Sequence, residues 1–227
     1  KGRIHIDYRE LRDFAYGITT NYGTDNYGSG VFRFNYFNEQ QKHIWSSRPN
    51  QQGDTPKGQD IARYRAQLRH KWQMDPATIG TMEFNKMSDA NVIRDYYIRD
   101  FQRDMVNGNY ASIIRTDDYY TTSFLVQKRI NSFESMIEYL PQVQFETRSL
   151  KIGQSDFYYN GSGSVANLNN LNAAPFNGVA SANRVDTKNQ LSYQSNILGW
   201  LGVRPFAGTE QTYFSRDLTG DERNLIR

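Results

Sequence analysis

The sequence predicts an all-β fold, an antiparallel up-and-down meander, and three observations lead to this prediction. The chain of 227 residues contains 16 Tyr and 13 Phe, and aromatic residues are enriched in strands. Apolar and polar residues alternate along many short runs, which is the pattern of a strand with one apolar and one polar face. Residues that favour turns separate the runs. We count about eleven runs and therefore expect roughly ten to twelve strands.

The clearest runs lie in the first half of the chain. Residues 3–9 alternate strictly, with Ile4, Ile6 and Tyr8 on one face and charged residues or His on the other. Alternation continues through residues 14–22, 32–36, 64–72 and 82–84. The polar face of residues 63–72 is strongly basic, because it carries Arg63, Arg65, Arg69 and Lys71.

The second half gives weaker runs and clear turn signals. Residues 124–126, 133–139 and 143–145 continue the alternation, although Leu125 interrupts it. Turns are predicted at 24–30, 75–76, 117–118 and 131–132, and the Asn-Gly-Asn sequence at 107–109 predicts a hairpin. Pro141 lacks a backbone N–H, so we expect it at the start of a strand or at a bulge. The glycines at 161 and 163 predict a strand that bends or comes close to a neighbour.

Three long connections are predicted, at about residues 40–59, 88–106 and 169–184. Residues 88–106 mix acidic, basic and aromatic side chains, which predicts a short helix in a loop whose charges pair with one another. The alternative is an extracellular loop that caps a lumen or meets divalent ions at the cell surface. Short turns that alternate with long loops are typical of membrane β-barrels, whose strands need about 9–11 residues per span.

A sheet with one apolar and one polar face fits two kinds of protein. In a soluble or surface-exposed β-protein, such as a glycan-binding module, the apolar face packs against a second sheet. In an outer-membrane β-barrel the apolar face meets lipid and the polar face lines a wet lumen. Aromatic residues near strand ends and basic residues in mid-strand favour the barrel, and the soluble module remains the alternative. The residues then expected to face lipid are Phe32, Phe34, Met82, Phe84, Phe124 and Val126.

Several kinds of site are not indicated by the sequence. The chain has no Cys, which excludes disulfides, Cys-ligated zinc and a Cys nucleophile. His5, His43 and His70 have neither the spacing of a metal site nor a neighbouring nucleophile. We therefore predict no catalytic residue, no metal, no cofactor and no enzyme activity. A barrel lipase or protease is the weakest alternative, because no Ser/His/Asp grouping is visible. A net charge of +3 does not indicate nucleic-acid binding.

Three segments, in order along the chain, resemble the barrel of the LptD family. The first comprises residues 64–70 and 82–96, where Met87-Ser88-Asp89 and Val92-Ile93-Arg94-Asp95-Tyr96 are similar to a strand ending in (V/M)SD and a loop reading (Y/F)(L/I)RD(Y/F). The second comprises residues 139–145, similar to RLPE(V/I)xF, and residues 153–159, similar to G(D/N)SPLYYS. The third comprises residues 184–186, 191–193, 199–205 and 213–215, similar to the family's RxD, LSY, WL and TYYS elements. The resemblance covers most of residues 60–216.

LptD proteins, also called organic solvent tolerance proteins, assemble lipopolysaccharide into the outer leaflet of the outer membrane. The resemblance implies the same role here, in the outer membrane of a Gram-negative-type bacterium. The family has a periplasmic jelly-roll domain and a barrel of about two dozen strands. Residues 1–227 are therefore expected to be an interior fragment of one barrel domain, with an open, curved sheet. The implied partners are lipopolysaccharide, outer-membrane lipid, a plug lipoprotein (LptE-like) and a periplasmic bridge protein (LptA-like).

Basic side chains on the polar face are candidates to bind the phosphates of lipopolysaccharide, because Arg and Lys pair well with phosphate oxygens. These candidates are Arg33, Arg63, Arg65, Arg69, Lys71 and Arg129. The alternative is that they keep the lumen wet and pair across strands with Glu83 and Glu146.

Overall fold

The computed structural model describes residues 1–9, 13–40, 60–103, 108–173, 179–216 and 221–226. The strands in this part of the chain are β1 (Gly2–Arg9), β2 (Asp13–Thr24), β3 (Gly28–Gln40), β4 (Asp60–Asp75), β5 (Thr78–Met87), β6 (Tyr110–Thr116), β7 (Tyr120–Gln127), β8 (Met136–Thr147), β9 (Leu150–Lys151), β10 (Phe157–Leu171), β11 (Val179–Tyr193), β12 (Ser195–Ile197), β13 (Leu201–Val203), β14 (Phe206–Phe214) and β15 (Arg223–Ile226). Two short helices, α1 (Val92–Tyr96) and α2 (Ile98–Arg103), lie between β5 and β6.

Thirteen of the described strands form one antiparallel sheet, which confirms the predicted meander. Its order is β1-β2-β3-β4-β5-β6-β7-β8-β10-β11-β14-β15, and the short β9 pairs with β10. The strands β12 and β13 form a separate two-stranded sheet. Among the described strands, β1 and β15 end the order without pairing with each other, so the sheet is open, as expected.

The chain divides into two compact units. The first comprises Lys1–Trp72, Met82–Asn109 and Ile130–Glu134. The second comprises Gln73–Thr81, Tyr110–Arg129 and Ser135–Arg227. Each is described by itself below.

In the first unit, the pairing register gathers the apolar side chains into rows that cross the strands. Ile4 lies opposite Ile18, which lies opposite Phe34. A neighbouring row crosses four strands through Ile6, Tyr16, Tyr36 and Tyr64. Because alternate residues of a strand point to opposite faces, these rows share one face and the residues between them share the other.

The second unit has the same arrangement. One apolar row crosses β6, β7, β8, β10, β11 and β14 through Ile113, Phe124, Val143, Val165, Val185 and Tyr213. Gly161 sits on the same face, and a Cβ there would collide with the ring of Tyr159. Tyr159 belongs to the same strand, so the bend or close approach to a neighbouring strand that the sequence predicts for this glycine stays a prediction.

Pro141 lies at a bulge in β8, as the sequence predicts. Gln142 and Tyr139 pair with Leu125 and Gln127 of β7, so β8 carries one extra residue over this interval. The same extra residue is seen against β10, between Ala166 and Leu168. A residue without an N–H is tolerated there because the ladder is already interrupted.

Two asparagine side chains in the first unit take over backbone pairing at the end of β5. The Asn85 N–H donates to Asn109 Oδ1 at 2.6 Å, and the Met87 N–H donates to Asn131 Oδ1 at 3.0 Å. Asn131 Nδ2 in turn donates to the Asn85 carbonyl at 3.1 Å. Both side chains are buried. They satisfy buried backbone N–H and C=O groups at the end of β5.

Some predicted boundaries need correction. The loop predicted at 169–184 is shorter, because Asn169 and Asn170 belong to β10 and pair with Ser181 and Ala180 of β11. The low strand propensity of Asn and Ala is overridden there by a continuous ladder.

The hairpin predicted at 107–109 is wrong, since Gly108 and Asn109 follow the helical segment between β5 and β6. Turns at 75–76 and 117–118 are confirmed. The predicted loop at 40–59 lies, from residue 41, outside the described residues.

Candidate functional site

The polar face of the first unit is built from three rows that run across β1 to β4. The first row places Arg3 opposite Thr19, Thr19 opposite Arg33, and Arg33 opposite Gln67. The second row contains His5, Gly17, Asn35 and Arg65. The third row contains Asp7, Ala15, Phe37 and Arg63. Charged, amide and hydroxyl groups from separate strands are therefore brought side by side by register alone.

A cavity of about 340 Å³ lies over these rows. Its lining includes three arginines, one histidine and one aspartate: Arg3, Arg33, Arg65, His5 and Asp7. Gly17 lies in its lining, and a Cβ there would come within 2.5 Å of the Asn35 amide nitrogen and 3.4 Å of His5 Cδ2. The missing side chain keeps the space between His5 and Asn35 open.

The segment after β5 covers part of this face. Val92 and Tyr96 of α1 are buried against Ala15 and Phe37, which together form the apolar cluster of the unit. The rings of Phe37 and Tyr96 stack with centroids 3.8 Å apart. Tyr97 extends the cover to the cavity, where the Arg65 guanidinium lies 5.5 Å from the centroid of its ring. Burying these rings holds a helical turn on a face that is otherwise polar.

Arg63 fixes this segment electrostatically. Its Nε and Nη2 donate to the two carboxylate oxygens of Asp89 at 2.9 and 2.7 Å, and its Nη1 donates to Asp95 at 3.1 Å. The Arg63 and Asp95 side chains are both 8% exposed. A two-pronged guanidinium–carboxylate pair is among the stronger polar contacts in proteins. Burial acts to raise the pKa of the Asp89 carboxyl, but the hydrogen bond and charge of Arg63 outweigh burial and hold this pKa below its ordinary value.

The loop charges were expected to pair with one another, and the structure corrects this in part. Arg94 and Asp95 do approach to 3.6 Å within the segment. The shorter contacts of Asp89 and Asp95, however, are to Arg63 of β4. Sequence spacing alone gives no sign of a partner 26 residues away.

The six basic residues nominated from the sequence lie in different surroundings. Arg33 and Arg65 line the cavity, and Arg63 is buried under the helical segment. Arg69 pairs with Glu83 at 2.8 Å, which is the cross-strand pairing given above as the alternative to phosphate binding. Lys71 is exposed near the end of β4. Arg129 belongs to the second unit, follows β7, and donates to the Asn172 carbonyl at 2.7 Å.

The residues predicted to face lipid lie, each within its own unit, in an apolar row or on the face that carries the rows. Phe32, Phe34, Met82 and Phe84 of the first unit are 37–39% exposed, and Phe124 of the second is 42% exposed. Val126 is half-buried opposite the bulge in β8. Their contact with lipid stays a prediction.

Sequence reasoning missed Arg3, His5, Gly17, Thr19 and Asn35 as parts of the cavity. The alternation places each on the polar face, so this signal was present. The pairing register that brings them together cannot be read from the sequence of any single strand. In the described ranges, no three His, Asp or Glu side chains come together as a metal site, and His43 lies outside those ranges.

Comparisons with known proteins do not assign a family. No family model matches the chain, and no curated protein matches it. Neither helix in the described part of the chain is long and apolar enough to cross a membrane.

Proposed function

We propose that the chain is part of an outer-membrane β-barrel that assembles lipopolysaccharide into the outer leaflet. The observation that carries this proposal is the division of the sheet into two faces. In each unit, taken by itself, one face presents exposed apolar rows, and in the first unit the other face presents a basic, partly covered cavity. The three sequence segments similar to LptD give the proposal its particular substrate.

The apolar rows support a lipid-facing surface. Ile4, Ile18 and Phe34 are adjacent across three strands and are 76%, 39% and 37% exposed. Soluble monomers rarely expose contiguous apolar patches above a few hundred Å². Strands β2, β3 and β10 have 12, 13 and 15 residues, which is enough for the roughly 9–11 residues of a barrel span.

The basic polar face supports an anionic, hydrated substrate. In this proposal lipopolysaccharide sugars pass along the polar face, and the protein acts as a conduit and not as a catalyst. The partners would be the plug lipoprotein and the periplasmic bridge protein of the LptD family.

Conditional depletion in the bacterium that carries this chain tests the proposal. We expect lipopolysaccharide labelled at the cell surface to fall several-fold, while unrelated outer-membrane barrels remain inserted. Unchanged surface lipopolysaccharide would contradict it. Recovery of the intact protein in the soluble fraction without detergent would instead favour the glycan-binding module.

A further inference from the structure

We propose that the cavity over β1 to β4 is a binding site for a phosphorylated sugar, with the phosphate held between Arg3 and Arg33. This inference deepens the proposed function by giving one site on the polar face a ligand class, and it rests on that function for the natural source of the ligand.

The charge of the cavity selects an anion. Arg3 and Arg33 flank Thr19 in one row, so two guanidinium groups and a hydroxyl come from three adjacent strands. Within the described residues, neither Arg3 nor Arg33 forms an ion pair with a carboxylate. Among the described residues of the lining, the acidic group is Asp7, two rows of side chains away from Arg33. Guanidinium groups bind phosphate oxygens through paired, charge-assisted hydrogen bonds, so a phosphate fits this end of the cavity.

The size and remaining polar groups of the cavity select a sugar in addition to the phosphate. A volume of about 340 Å³ would hold roughly ten waters, which is far more space than one oxyanion needs. His5, Asn35 and Asp7 offer donors and acceptors of the kind that bind hydroxyl groups. Phe37 and Tyr97 add an apolar wall at the same end as Asp7. A phosphate at one end and hydroxyls at the other match the two ends of a sugar phosphate.

Substitution of Gly17 by alanine would fill part of the cavity without changing its charge. In Gly17→Ala the new Cβ displaces the Asn35 amide, which is the end of a flexible side chain, so the strand pairing is expected to persist. Gly163→Ala is a matched control, because it is also a strand glycine and its Cβ would meet only the Asp186 carbonyl at 3.7 Å.

The experiment is calorimetric titration of the full chain in detergent micelles with glucose 6-phosphate, inorganic phosphate and glucose. We expect glucose 6-phosphate to bind more tightly than inorganic phosphate and glucose not to bind. Gly17→Ala and Arg33→Ala should each weaken binding roughly tenfold or more. Gly163→Ala and Arg148→Ala, which changes an exposed arginine outside the cavity, should leave binding unchanged.

Three results would each overturn the inference: no binding of glucose 6-phosphate at millimolar concentration, equal binding of inorganic phosphate, or equal binding to Gly17→Ala and the unchanged chain. These outcomes are separable from failure of the proposed function, because they do not depend on insertion into a membrane. A chain that inserts into vesicles and supports surface lipopolysaccharide but fails the titration would refute only the sugar-phosphate site.

Discussion

The polar faces of the first and second units carry different side chains on the same kind of antiparallel sheet. In the first unit, arginines stand in three adjacent rows, with Arg33, Arg65 and Arg63 in successive rows. In the second unit, one row contains Gln144, Ser164, Asp186 and Thr212. The flanking positions there carry charges of both signs, namely Arg184, Lys188, Glu146 and Glu210.

The two polar faces also differ in how their charges are satisfied. In the second unit Asp186 is surrounded by near neighbours: Ser164 donates to it at 3.1 Å, Thr212 at 2.8 Å, and Arg184 pairs with it at 2.7 Å. In the first unit the partners of Arg63 are Asp89 and Asp95, which lie in the segment that follows β5. The apolar rows are common to both units, so the difference lies in the polar faces. We infer that the first unit is specialised for a ligand and that the second provides a conventional hydrated face.

The largest expected effect that tests this contrast is on stability. Arg63→Ala removes the cation that Asp89 and the buried Asp95 share, and should lower the free energy of unfolding by about 3 kcal/mol. Arg184→Ala removes a more exposed ion pair and should cost less than about 1 kcal/mol. Both can be measured by urea unfolding in detergent micelles, followed by tryptophan fluorescence. Equal losses for the two variants would remove the distinction between the units.

Arg63→Lys sharpens the same comparison. Lys keeps the charge but cannot reproduce the two-pronged contact with Asp89, so its stability should lie between those of the unchanged chain and Arg63→Ala. A lysine variant as unstable as the alanine variant would show that geometry and not charge holds the helical segment.

A smaller effect is expected from pH. The pKa of Asp89 is lowered by Arg63 in the folded chain, below the value of about 3.9 for an unfolded aspartate. Its contribution to stability is therefore complete above pH of about 4 and is lost as the pH falls through the folded value. Compared with Asp89→Asn, the unchanged chain should lose more stability between pH 6 and pH 3. Parallel pH profiles for the two proteins would contradict the role assigned to the Arg63 pair.

The sequence predicts the strands well and the site less well, for a physical reason. Alternation assigns residues such as Phe34 and Asn35 to opposite faces, because the strand period is fixed at two. It does not give the register between strands, so the row that joins Arg3, Thr19 and Arg33 could not be predicted. The same limit applies to Asn109 and Asn131, which look like turn residues and in fact pair with the backbone of β5. The pairing of residues that are distant in the chain, such as Arg63 and Asp95, depends on how the connecting segment folds onto the sheet. The sequence pattern does not predict that fold.

The central claim is that the sheet turns its apolar rows to lipid and its polar rows to water, and site-directed spin labelling tests it most directly. The chain has no native Cys, so single-cysteine variants can be made without background labelling. We would compare the neighbours Ile18→Cys and Thr19→Cys in the first unit, and Val143→Cys and Gln144→Cys in the second, after reconstitution into phospholipid vesicles. The account predicts that labels at 18 and 143 collide with oxygen dissolved in the bilayer, and that labels at 19 and 144 collide with a water-soluble relaxation agent. Equal access of the water-soluble agent to both members of each pair would contradict it.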